Sequence, residues 1–149
     1  MKKIISALFS WAFVVCFLLS GCGDNVQNKG SENSIMNISA NGYSLNVDLV
    51  DNSSVRNLIE ILKEKPLVVP MSDYENFEKV GDLGHELPRN DEAITTEPGD
   101  VILFQGRYLV IYYGKNSWSF TRLGKINNTS KEELLRIFGP GDVQVTLSL

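Results

Sequence analysis

His85 is the only histidine of the chain, so any histidine-dependent chemistry must use it. Asp82 and Glu86 are near enough in sequence to orient one ring nitrogen, and several serines occur elsewhere. A hydrolytic centre of the serine–histidine–acid type is therefore one hypothesis. The simpler interpretation is a loop histidine among polar neighbours. Geometry decides between them, so both stay open at this point.

Acidic side chains are concentrated in residues 71–92, and oxygen ligands of this kind suit Ca²⁺. The spacing does not match a calcium-binding loop, in which acidic residues alternate before a glycine, and Lys79 and Arg89 interrupt the negative charge. We therefore interpret the segment as a solvated acidic region and expect no metal and no cofactor. Its carboxylates belong to Asp73, Glu75, Glu78, Asp82, Glu86, Asp91 and Glu92.

Aromatic residues offer a third kind of site, because tyrosine and tryptophan combine a large apolar surface with one hydrogen-bond donor. They recur between residues 74 and 77 and between residues 104 and 120. Together with an arginine they could line a groove for an extended peptide or a small molecule. The candidate ligand-binding residues are Met71, Tyr74, Phe77, Trp118, Phe120 and Arg122. The alternative is that the aromatic side chains only pack the protein core.

Arg122 departs most clearly from its surroundings. If residues 118–126 form one regular strand, every second side chain lies on the same face, and Arg122 shares that face with Trp118, Phe120 and Ile126. A buried arginine without a partner is too costly in free energy. We therefore expect Arg122 either at the rim of the fold or paired inside it.

Local patterns predict the elements that position these candidates. Residues 35–51 should form a hairpin, because Asn41-Gly42 separates two segments and both turn residues need positive φ. Residues 52–65 and 130–138 carry apolar side chains at helical spacing behind Asn or Ser caps, which predicts two amphipathic helices.

The remaining chain reads mostly as strands. Residues 101–104 and 108–113 are apolar on both faces, so each should be covered on both sides, with a turn at Gly106-Arg107. Shorter strands are expected over residues 67–71, 77–82 and 143–149, and residues 84–97 look loop-rich. About eight strands and two short helices predict a mainly β fold, a closed antiparallel β-barrel capped by the helices.

The first residues predict export. Lys2 and Lys3 precede an apolar stretch, and Leu19-Ser20-Gly21-Cys22 follows it. This ending resembles the lipobox of bacterial lipoproteins, which implies cleavage after Gly21 and a diacylglycerol on the Cys22 sulfur. We expect residues 1–21 to be a signal peptide, 22–34 a lipidated cysteine and flexible tether, and 35–149 the folded domain. An uncleaved membrane anchor is the alternative.

Export bounds the chemistry of the mature chain. Removal of Cys16 and lipidation of Cys22 would leave no free thiol, which excludes a disulfide, a cysteine metal site and a cysteine nucleophile. Loss of Lys2 and Lys3 changes the 14 basic residues to 12 against 18 acidic ones, a formal charge of −6. Such a chain is a poor nucleic-acid binder. The expected partner is the lipid bilayer of the cell membrane or outer membrane, reached from the extracytoplasmic side.

Four short motifs carry a family resemblance over residues 35–149. Met71-Ser72-Asp73-Tyr74, Leu87-Pro88, Pro98-Gly99-Asp100 and the TRLGKI segment at 121–126 resemble the bacterial cyclophilin-like fold proteins in order and spacing. The resemblance implies an eight-stranded barrel capped by two helices. True cyclophilins isomerise X-Pro bonds with an arginine from a phenylalanine-histidine-arginine segment, near a Gln-Gly-Gly-Asp stretch. Neither segment is present, so no catalytic residue is transferred.

These observations leave three functional hypotheses. The leading one is a membrane-anchored binding module, without catalysis, that holds a peptide or small ligand. The second is a divergent peptidyl-prolyl cis-trans isomerase acting on exported proteins. The third is a small hydrolase centred on His85.

Overall fold

A computed structural model describes residues 34–149. The predicted signal peptide and all but one residue of the predicted tether lie outside the described residues. Within them, nine strands and two helices follow in the order β1 (Ile35–Ala40), β2 (Tyr43–Leu49), α1 (Ser53–Glu64), β3 (Leu67–Tyr74), β4 (Glu78–Asp82), β5 (Glu92–Thr95), β6 (Asp100–Phe104), β7 (Tyr108–Tyr112), β8 (Ser117–Ile126), α2 (Lys131–Phe138) and β9 (Val143–Ser148).

Eight of the strands form a closed antiparallel barrel. Neighbouring strands follow the order β2-β1-β9-β3-β4-β7-β6-β8, and β2 closes the ring by pairing with β8, where Val47 lies opposite Ile126. β5 pairs with the first half of β8 and lies outside the ring. The predicted mainly β barrel with two helices is confirmed.

The turn and caps form where local chemistry predicts them. Asn41 and Gly42 have φ values of 48° and 81°, so both central residues of the first hairpin turn adopt the positive φ that this turn requires. The Asn52 side chain accepts a hydrogen bond from the Val55 amide at 2.8 Å and caps α1. The Ser130 hydroxyl caps α2 in the same way, by accepting from the Glu133 amide at 3.2 Å.

Apolar side chains pack on both sides of the barrel wall. The interior holds the main core, which receives one face of the barrel strands and the buried stripes of both helices. A second cluster lies on the outer face of the wall and consists of Ile94, Ile102, Val110, Tyr112 and Phe120, with Phe77, Val80 and Phe104 packed against it. Strands β6 and β7 contribute to both clusters. The prediction that each of these strands is covered on both faces is therefore confirmed.

A β-bulge changes which residues of β8 share a face. Val101 pairs with Gly124 but the next residue, Ile102, pairs with Arg122, so Leu123 is the extra residue. Trp118, Phe120 and Arg122 therefore lie on the outer face, whereas Ile126 packs in the barrel interior. The prediction of one continuous face from 118 to 126 was wrong, because a bulge reverses the alternation.

Two further local predictions need correction. The segment 84–97 was expected to be loop-rich, but it contains β5 (Glu92–Thr95), whose four residues include a single buried side chain and are too few to show an alternating pattern. The turn between β6 and β7 was placed at Gly106-Arg107, but positive φ falls on Gln105 and Gly106 instead, at 51° and 74°.

Gly124 permits the barrel to close. A Cβ atom at this position would lie 2.5 Å from the Asp48 carbonyl oxygen, which is closer than real Cβ atoms come to another atom. Leu49 pairs with Gly124 across the β2–β8 seam, so the two strands approach fully only because this residue has no side chain. No helix between residues 34 and 149 is both long and apolar enough to cross a bilayer.

Candidate functional site

An open groove lies over the outer cluster of the barrel wall. Its volume is about 410 Å³, within the usual range for small-ligand sites. Strands β3, β4, β6, β7 and β8 and the segment before β8 all contribute to it. The residues that line it are Tyr74, Glu78, Val80, Phe104, Val110, Tyr112, Asn116, Trp118 and Phe120.

Two exposed aromatic side chains form part of the groove wall. The Tyr74 side chain, at the end of β3, is 54% exposed, and the Trp118 side chain, near the start of β8, is 66% exposed. Large aromatic side chains are usually at least half buried because their contact with water is unfavourable. Both therefore present apolar surface to solvent beside an apolar floor.

The floor is a continuous aromatic layer. The Phe77 ring stacks on the Tyr112 ring with centroids 6.2 Å apart and meets the Tyr74 ring edge-on at 5.9 Å. Phe120 lies 5.8 Å from Tyr112 and 6.1 Å from Phe104. Aromatic pairs in these geometries stabilise one another beyond the area that they bury. The floor is therefore preformed.

Glu78 is the one ionisable carboxyl among the lining residues. Its side chain is 8% exposed, and its Oε2 atom is buried without a hydrogen-bond partner. Burial raises the pKa of Glu78 above its ordinary value, the nearby Tyr112 hydroxyl lowers it in part, and the negative charge of Glu75 raises it further. A buried polar atom without a hydrogen-bond partner costs free energy of folding, so Glu78 destabilises the fold in the absence of a bound partner.

Tyr112 and Asn116 add polar groups near that carboxyl. Burial raises the pKa of the Tyr112 phenol, and the neighbouring Glu78 carboxyl raises it further, so the hydroxyl stays protonated. The Asn116 side-chain amide donates to the Tyr112 oxygen at 3.3 Å, and the Asn116 backbone amide donates to Thr96 Oγ1 at 2.9 Å. The groove thus offers a carboxyl, a phenol and an amide in an aromatic setting.

The predicted ligand-binding residues divide into two groups. Tyr74, Trp118 and Phe120 line the groove, and Phe77 packs beneath it. Met71 lies in the barrel interior and is 1% exposed, so its side chain is part of the core. The Met71 side chain points to the opposite face of the sheet from Tyr74, because the two residues are three positions apart on one strand.

Arg122 is paired, as one of the two expectations has it, but on the outer face of the barrel wall rather than inside the barrel, and its side chain is 28% exposed. Its guanidinium donates to Asp100 Oδ1 at 2.7 Å, and Lys125 Nζ lies 3.0 Å from the same oxygen. All five arginines between residues 34 and 149 form ion pairs with carboxylates, and none of them lines the groove. The arginine-assisted arrangement of the isomerase hypothesis is therefore not assembled in the groove.

His85 is exposed and lies outside the groove. The carboxylate of Asp82, one of its two proposed partners, accepts hydrogen bonds from Arg107 and from the Gly84 amide. No cluster of three or more metal-ligating side chains occurs in the described part of the chain. The acidic segment was interpreted as solvated, which overlooked Glu78, because sequence spacing does not show which carboxylate is buried.

Lys79 forms the second buried polar group of β4, on the opposite face from Glu78. It is fully buried, and its ammonium donates to Asp73 at 2.9 Å and to the carbonyls of Gly139 and Gly141 at 2.9 and 2.7 Å. The Tyr113 hydroxyl also donates to Asp73. Burial raises the pKa of Asp73, but the bonds from Tyr113 and Lys79 outweigh that effect and lower it overall. This network is structurally satisfied and leaves no group free.

Comparison with known proteins identifies the family. A sequence profile of the cyclophilin-like family matches residues 38–148, most of the chain, so the protein belongs to that family. No curated protein matches the sequence.

Two solved structures share the fold. The hypothetical protein AF2241 from Archaeoglobus fulgidus is 17% identical with a TM-score of 0.58, over 78% of this chain and 94% of that one. McbB, solved in complex with tryptophan, is 16% identical with a TM-score of 0.54, over 76% of this chain and 44% of McbB. The similar region thus spans less than half of McbB. At these identities the two similarities establish the fold alone.

Proposed function

We propose that the protein is a lipid-anchored, extracytoplasmic cyclophilin-like domain that binds a small molecule or an extended peptide in the outer groove. The observation that carries the binding proposal is the pair of exposed rings, Tyr74 and Trp118, beside a preformed aromatic floor. A ligand would cover these rings and gain the apolar contact that water does not provide. McbB is described with bound tryptophan, and we extend that ligand size class to this groove.

A neutral dye tests the groove without assuming a ligand charge. Nile red should bind the wild-type chain, and the double variant Tyr74→Ala/Trp118→Ala should bind it at least about tenfold more weakly, the loss expected for two aromatic contacts. A matched control is Tyr43→Ala/Val68→Ala, which removes two exposed apolar side chains elsewhere. Equal dye binding by both double variants would contradict the proposal.

The anchor is tested separately. Expressed in a bacterial host, the wild-type and Cys16→Ala chains should lose residues 1–21 and gain a diacylglycerol, both read by mass spectrometry, whereas the Cys22→Ala chain should gain no lipid, because only Cys22 follows the lipobox-like residues. A wild-type chain that keeps residues 1–21 and carries no lipid would contradict lipid anchoring and favour an uncleaved span.

A divergent peptidyl-prolyl isomerase is the alternative function that follows from the family. Acceleration of cis/trans exchange in a proline peptide by micromolar protein would support it. The binding proposal expects no acceleration, since the described arginines are all engaged with carboxylates outside the groove.

A further inference from the structure

Glu78 places a buried carboxyl group in the groove. Its side chain is more than nine-tenths buried, it lines the groove, and one of its carboxyl oxygens has no hydrogen-bond partner. A carboxylate in such a setting is destabilising until a cation or donor reaches it. The described residues that line the groove include no lysine, arginine or histidine, so the groove itself offers Glu78 no cationic partner.

The neighbouring lysine cannot neutralise Glu78. Lys79 follows it directly, but successive residues of a strand point to opposite faces, and the Lys79 ammonium is fully occupied on the interior side. The titratable groups near the Glu78 carboxyl are the phenol of Tyr112 from β7 and the carboxylate of Glu75, with Tyr74 at the groove wall from β3. The Tyr112 hydroxyl can donate to the carboxyl group, but none of these groups is cationic, and Glu78 Oε2 has no hydrogen-bond partner.

The walls of the groove suit a positive charge as well. Aromatic ring faces attract cations, and the attraction strengthens where water is excluded. At longer range the domain is acidic. Residues 34–149 contain 11 basic and 16 acidic side chains. The other charged residues of the chain precede residue 34 and are Lys2, Lys3, Lys29, Asp24 and Glu32. A net negative domain raises the local concentration of cations.

We propose that the groove binds an organic ammonium ion carried on an apolar body, with the Glu78 carboxylate as its counter-ion and aromatic side chains around it. This inference rests on the proposed ligand-binding function of the groove and specifies the chemical class of its ligand. The ammonium group would belong either to a small-molecule amine or to a lysine side chain of a peptide.

Trp118 supplies a local readout for the test. The chain has two tryptophans, and the proposed cleavage after Gly21 removes Trp11, so the tryptophan fluorescence of the mature chain comes from Trp118 alone; the Trp11→Phe substitution keeps this true of an uncleaved chain. This protein is titrated at pH 7 with 2-phenylethylamine, which is an ammonium ion there, and with 2-phenylethanol, a neutral molecule of similar size. The Kd for the amine should be at least about tenfold lower, the difference expected for one charge-assisted hydrogen bond.

Two variants assign the preference to Glu78. Glu78→Gln keeps the size of the side chain and removes its charge, so most of the preference for the amine should be lost, and only the part that the aromatic rings and the net charge of the domain supply should remain. Glu75→Gln removes a nearby exposed charge outside the groove, and there the preference should remain above about fivefold, since exposed charges are screened. Urea unfolding of each variant establishes that it is folded. An unchanged preference in folded Glu78→Gln would overturn the inference.

Two acetylated tetrapeptides identify the source of the ammonium group. One carries lysine beside phenylalanine, and the other carries norleucine in place of the lysine. A cation preference in either the peptide pair or the amine pair supports the inference, and the tighter cation identifies the source. Binding of the neutral probes and Nile red without any cation preference overturns the inference and leaves the groove function intact. Absence of binding by every probe overturns both.

Discussion

Glu78 of β4 lies directly opposite Tyr112 of β7 in the antiparallel ladder, so the one carboxyl of the groove sits beside an aromatic ring. On the other face of β4, Lys79 lies opposite Ile111 and reaches Asp73. Two adjacent residues of one strand therefore carry buried charges in opposite directions. Lys79 has its partners within the protein, whereas Glu78 Oε2 has none among the described residues, which makes Glu78 the candidate contact for a ligand.

We predict that Glu78→Gln stabilises the protein at neutral pH. The pKa of Glu78 is raised in the folded state, so the folded chain holds this proton more tightly than the unfolded chain. Its stability contribution is therefore present below the unfolded pKa of about 4.5 and is lost as pH rises through the folded pKa. The variant should gain about 1–3 kcal/mol at pH 7, because it removes the cost of holding a negative charge at this buried position.

Urea unfolding of wild type and Glu78→Gln between pH 4 and 8 measures this effect. The free-energy difference between the two proteins should be smallest at pH 4 and should grow as the pH rises. Glu75→Gln serves as control and should follow the wild-type pH profile more closely. A Glu78→Gln protein that is less stable than wild type at pH 7 would mean that the carboxylate has a structural partner.

We predict that Lys79→Met destabilises the fold strongly. The substitution leaves Asp73 and two backbone carbonyls without the ammonium donor, and removing one member of a buried pair costs about 3–5 kcal/mol. Lys63→Met is the matched control, because Lys63 is exposed on α1 and pairs only with Glu60. Its effect should be within about 0.5 kcal/mol. Equal urea midpoints for the two variants would contradict this role.

Acid should weaken the same network. The pKa of Asp73 is lowered in the folded state, so its contribution to stability is present above its ordinary value of 3.8 and is lost as pH falls through the folded pKa. Asp73→Asn should remove this dependence below pH 4, and it should destabilise the protein at pH 7. Thermal melts at pH 2 to 5 measure how steeply the melting temperature of wild type and of Asp73→Asn falls with pH. Parallel slopes in wild type and variant would show that Asp73 does not titrate differently on folding.

We predict that Gly124→Ala costs about 3 kcal/mol or more, at the upper end of overpacking effects, because its Cβ atom would meet the Asp48 carbonyl. Gly84→Ala is the control. Nothing lies within 4 Å of a Cβ atom there, and only its φ of 72° opposes a side chain, at a cost of roughly 1 kcal/mol. Chemical denaturation ranks the two. A smaller loss for Gly124→Ala would mean that the β2–β8 seam can widen.

Much of the fold follows from local patterns. Asn41-Gly42 sets a hairpin, and the caps and apolar stripes set both helices, because each signal lies within a few residues of chain. The short strand β5 was missed because Ile94 is its one buried apolar side chain. The bulge at Leu123 was missed because register depends on the partner strand β6, which a single sequence does not show.

The sequence predicted three of the residues that line the groove, Tyr74, Trp118 and Phe120. It did not predict that Glu78 lies there too. Glu78 is one of seven carboxylates between residues 71 and 92, and nothing in its immediate neighbours distinguishes it. Glu78 lies opposite Tyr112, 34 residues away, and this pairing of strands is not visible in the residues next to Glu78. The alternation of Glu78 with Val80 on a predicted strand was the one available signal that this carboxyl faces an apolar surface.

The ring order of the barrel also has a directional consequence. Three strands separate β1 from β7 whichever way the ring is followed, so these two strands occupy opposite walls. β1 is the strand nearest in sequence to Cys22, and β7 supplies Val110 and Tyr112 to the groove. Under the proposed anchoring, the tether would join the domain on the wall opposite the groove. The anchored end of the chain would therefore leave the groove uncovered, and ligands could enter it from the aqueous phase.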